Sequence, residues 1–83
     1  MKYIVFQDSL ECEYMILFPE TLNHSDVANA MSRLPTLKPI SAGQAHIGDD
    51  CCPDHYCHDR SVTLKLESRP EDSRLLERTL KNY

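Results

Sequence analysis

The sequence predicts an α+β domain of order ββαββα, with a four-stranded, mainly antiparallel sheet and two helices on one face. Three observations lead there. Two β-branched and aromatic runs lie close together at 2–6 and 13–18. An apolar/polar alternation occupies 60–67. Two stretches, near 25–33 and 70–82, repeat apolar residues at helical spacing behind capping side chains. With 83 residues the chain is one domain, 1–83. A domain this small has a small core and marginal stability.

The first strand is Lys-Tyr-Ile-Val-Phe, and polar residues 7–12 supply a turn. The second strand runs to Phe18, where Pro19 ends it. So short a connection makes the two an antiparallel hairpin. Both strands are apolar on successive residues, a pattern of burial on both faces. If both helices cover one face, the outer face of the hairpin is left bare. A homodimer, or a partner surface, is the expected cover.

Residues 21–25 offer several capping side chains, and Val27, Ala30, Met31 and Leu34 follow at helical spacing. Asn23 or Ser25 is the expected cap, and Pro35 the stop. His24 reads as a surface or capping histidine. The third strand is placed at 40–46, bent or bulged at Gly43. Residues 48–58 form a polar loop. In the fourth strand, Val62, Leu64 and Leu66 face one way and Ser61, Thr63, Lys65 and Glu67 the other. Ser68-Arg69-Pro70-Glu71 has the form of a capping box with a proline in the first turn. Leu75, Leu76 and Leu80 then form an apolar stripe, and Leu64, Leu66, Leu76 and Val27 are expected to be buried together.

The formal net charge is −4. Residues 1–59 hold three Lys/Arg against nine Asp/Glu, a balance of −6; residues 60–83 hold six against four, +2. An acidic domain repels phosphate backbones, so general nucleic-acid binding is not expected. The acidic part suits a basic partner surface. The longest apolar run, 14–18, is far too short to span a bilayer. The amino end has one lysine and no long apolar stretch, so no secretory signal is expected and the cytoplasm is the expected location. Thiols stay reduced there, and a disulfide between adjacent Cys51 and Cys52 would be strained.

The stretch Cys57-His58-Asp59-Arg60-Ser61-Val62-Thr63-Leu64-Lys65-Leu66-Glu67-Ser68-Arg69-Pro70-Glu71-Asp72 resembles a pattern in small proteins of phages and prophages. In that group a cysteine, an aromatic residue and a glycine precede a serine-rich strand and a Ser-Arg-Pro-Glu-Asp helix start. His24-Ser25-Asp26-Val27-Ala28 and Ser41-Ala42-Gly43 resemble its middle motifs. The chain departs from the group at His58 and Asp59, and in the extra Cys51-Cys52-Pro53 loop. The resemblance implies a phage-type accessory protein in the host cytoplasm, and no particular reaction.

Five thiol or imidazole groups fall within the eight residues Cys51-Cys52-Pro53-Asp54-His55-Tyr56-Cys57-His58. Thiolate and imidazole are the groups that hold zinc. Cys52, His55 and Cys57, closed by His46 from the neighbouring strand, are the candidate metal ligands, and structural zinc is then the one cofactor. Cys57 beside His55 or His58 is also a candidate thiolate–imidazolium pair. Asp49-Asp50 and Glu71-Asp72 have plainer explanations as a turn and a helix start. Two glycines make no phosphate-cradling loop. No catalytic constellation emerges. The first expectation is therefore a non-enzymatic binding protein that blocks or sequesters a host protein or small host component, as a counter-defence inhibitor does. The second is a small zinc-stabilised structural or regulatory module. The third is a cysteine-dependent enzyme.

Overall fold

Asp8 builds the first turn. Its Oδ1 accepts the backbone N–H groups of Leu10 and Cys12, at 2.9 and 3.0 Å, and Glu11 takes the left-handed conformation at φ 65°. That turn joins β1 (Lys2–Gln7) to β2 (Glu13–Phe18), which pair antiparallel without interruption from Lys2↔Phe18 to Gln7↔Glu13. The computed structural model describes residues 1–33, 36–51 and 53–81. After the hairpin come α1 (His24–Met31), β3 (Lys38–His46), β4 (Tyr56–His58), β5 (Arg60–Ser61), β6 (Leu66–Glu67) and α2 (Asp72–Lys81).

The result is an α+β fold with a four-stranded antiparallel sheet, order β2-β1-β3-β4, and two helices. α1 carries the chain from the β1–β2 hairpin to β3 on the far side of β1. Asn23 stands at its N-cap position without a side-chain cap bond. At its other end Ser32 closes the helix, its N–H reaching Ala28 and Asn29 carbonyls. Leu34, Pro35, Asn82 and Tyr83, which enter the expected helix stripe and the two helix ends, lie outside the described residues. Among the described residues no helix is long and apolar enough to cross a membrane.

The placement of the helices corrects the expectation of a single covered face. Tyr3, Val5 and Met15 pack with Leu75 and Leu76 of α2. Ile4, Phe6 and Phe18, from the opposite face, pack with Val27, Ala28 and Met31 of α1 and with Leu64 and Leu66. The reason is the strand period of two: successive residues of β1 point to opposite faces, and Tyr3, Ile4, Val5 and Phe6 are all buried. Two cores therefore share one central strand. Leu76 belongs to one core, and Leu64, Leu66 and Val27 to the other. The argument for a dimer assumed one wholly bare sheet face, whereas each face carries a helix and Tyr14 of β2 stays half exposed.

Two further local readings are corrected. The irregularity in the third strand falls not at Gly43 but where the β1 partner jumps from Ser41 to Pro39, between Val5 and Phe6, leaving Ile40 as the extra residue. Gly43 has a different need: a Cβ there would sit 2.5 Å from the His58 carbonyl oxygen. The expected strand at 60–67 is a tight hairpin, β5 against β6, with Arg60↔Glu67 and Ser61↔Leu66. Ser61 Oγ accepts the Leu64 N–H at 3.3 Å, and Lys65 turns left-handed at φ 57°. This local bonding by a serine hydroxyl competes with an extended ladder, and it leaves Val62 at the tip 76% exposed.

Candidate functional site

The strongest polar assembly lies under α2 and joins residues far apart in sequence. Asp72, at the first position of α2, is wholly buried. Its Oδ2 accepts the Tyr3 hydroxyl at 2.6 Å and the Arg69 backbone N–H at 3.0 Å. Its Oδ1 accepts Arg69 Nε and Nη2 at 2.9 and 2.8 Å. The same guanidinium forks onto Glu13 of β2, Nη2 to Oε1 at 2.8 Å and Nη1 to Oε2 at 3.3 Å. One arginine thus ties the start of α2 to the edge strand, while Tyr3 ties it to the central strand. Such bonds to ionised partners are short and strong.

The electrostatics follow from this geometry. Arg69 holds the Glu13 carboxyl below its ordinary range, and Glu13 in turn raises Arg69. Burial, reinforced by the bond to Asp72, pushes the Tyr3 phenol far up. Each oxygen of the Asp72 carboxylate accepts two bonds from within the protein, so the group acts as a clamp. The side chain that closes the start of α2 is Asp72, receiving the Arg69 N–H. The Ser68-to-Glu71 capping box takes no such part in the described bonds. Ser41 Oγ, in β3, is buried with no partner among the described residues.

Cys57 lies beside this clamp. Its backbone N–H donates to Ser73 Oγ at 3.0 Å, and its thiol packs into the α2 core. Burial, then the negative charge of Asp72, pushes the thiol up to about 12. The nucleophile and metal ligand is the thiolate, and at neutral pH this group stays a thiol. His58 follows Cys57 along β4, and neighbouring residues on a strand point to opposite faces.

Of the expected ligands Cys52, His55, Cys57 and His46, the three among the described residues are not brought together. Cys52 lies outside the described residues. Cys57 pairs with Ala45, which belongs to the α2 core, whereas His46 pairs with Tyr56 on the opposite face. His46 stacks on the Tyr56 ring with centroids 4.8 Å apart, and His58 leans on the same ring at 5.5 Å. His55 Nδ1 accepts the Gly48 N–H at 2.8 Å. A neutral imidazole whose Nδ1 is an acceptor carries its proton on Nε2, so neither nitrogen offers a free lone pair. Among the described residues no group of three or more His, Cys, Asp or Glu could hold a metal ion.

His24 is also not the surface residue expected. It is buried at the start of α1, packs edge-on against Phe18 at 5.3 Å, and its Nε2 lies 3.0 Å from the Gly43 carbonyl oxygen. A carbonyl only accepts, so Nε2 carries the proton. The histidine fastens α1 to β3.

What remains open is on the surface. β2 is an edge strand of the sheet. Over Phe6 of β1 lies an apolar groove of about 400 Å³, lined also by Asp8, Tyr14, Ile16, Met31, Thr36 and Leu37. Tyr14 is half exposed, and its hydroxyl donates to Asp8 Oδ2 at 3.0 Å. Sequence reasoning found neither the clamp nor the groove. Tyr3, Glu13 and Asp72 share no local spacing, and the one signal available was a pair of carboxylates, Glu71 and Asp72, already explained by the helix dipole. No protein-family model, no curated protein and no solved structure matches the chain.

Proposed function

We propose that this is a non-enzymatic binding protein, an accessory protein of phage type that blocks or sequesters a host component. The observation that carries the reading is the fate of the reactive groups. Tyr3, Glu13, Arg69 and Asp72 saturate one another, and Cys57 is held as a thiol. Catalysis needs titratable groups poised near the working pH and within reach of a substrate, and these are neither. A protein of this kind acts through its surface, by occupying a partner and not by transforming it.

The experiment is affinity capture from host lysate followed by size-exclusion chromatography with light scattering. The expected result is one host component enriched over control, co-eluting at a fixed molar ratio. Enrichment of nothing above control, or conversion of a component by far less than an equimolar amount of the protein, would overturn the reading.

A further inference from the structure

We draw no further inference here: the strongest candidate, the surface patch at the tip of the β5–β6 hairpin, where exposed Val62 stands with Arg60 and Lys65 around a shallow depression, carries nothing because nothing in the structure shows what covers it.

Discussion

Removing the guanidinium of Arg69 leaves the Asp72 carboxylate, fully buried, with the Tyr3 hydroxyl and one backbone N–H. Arg69→Met is therefore expected to cost about 3 kcal/mol, the lower end for breaking a buried pair, because the arginine is itself partly solvated. The urea midpoint measures it. The deficit should shrink in acid. Glu13 is depressed in the folded state by Arg69, so its contribution is present above the unfolded carboxyl value and is lost as pH falls through the folded one. Cys57 has the opposite sign. Its thiol rises from 9.0 to about 12 on folding, so its contribution is complete below about pH 9 and lost as pH climbs toward about 12. Wild-type stability should decline over that window, and Cys57→Ala should decline less. A flat wild-type profile would show that the thiol is not buried as described. None of these residues was legible as a group: a clamp built from positions 3, 13, 69 and 72 has no signature in a window of the sequence.

Val62 separates two accounts of 60–67. If the segment were one extended strand, Val62 would face the core with Leu64 and Leu66, and a charge there would cost several kcal/mol. In the hairpin of β5 and β6 it lies at the exposed tip. Val62→Asp is expected to change stability by no more than about 0.5 kcal/mol, read from the thermal midpoint. Alternation alone could not distinguish these, because Ser61 Oγ and the left-handed Lys65 redirect the chain. The first hairpin was legible because its polar turn lies between two uniform β runs. The last helix was legible from Leu75, Leu76 and Leu80. The double-sided burial of β1 was also written in its apolar run, but which element covers each face depends on the chain's path and not on any local pattern.

At the scale of the molecule, two cores lie on opposite faces of one sheet, each with a helix packed on it. Light scattering of the protein alone is expected to give a mass near 9.6 kDa, and a concentration-independent dimer would mean that an edge or a helix face is an interface between copies. The cysteine–histidine run was the loudest feature of the sequence, yet strand alternation splits Cys57 from His46 and a backbone N–H occupies His55. Composition placed the ligands within reach of one another along the chain, and the sheet turns Cys57 and His46 to opposite faces. The central claim is that the reactive groups serve the fold and that function lies in stoichiometric binding. Its most direct test is capture of the host component by Cys57→Ala, the variant that removes the thiol the sequence marks both as a candidate nucleophile and as a candidate ligand. The account predicts a folded variant that captures the same component at the same molar ratio as the wild type. A folded variant that has lost its effect on that component would contradict it.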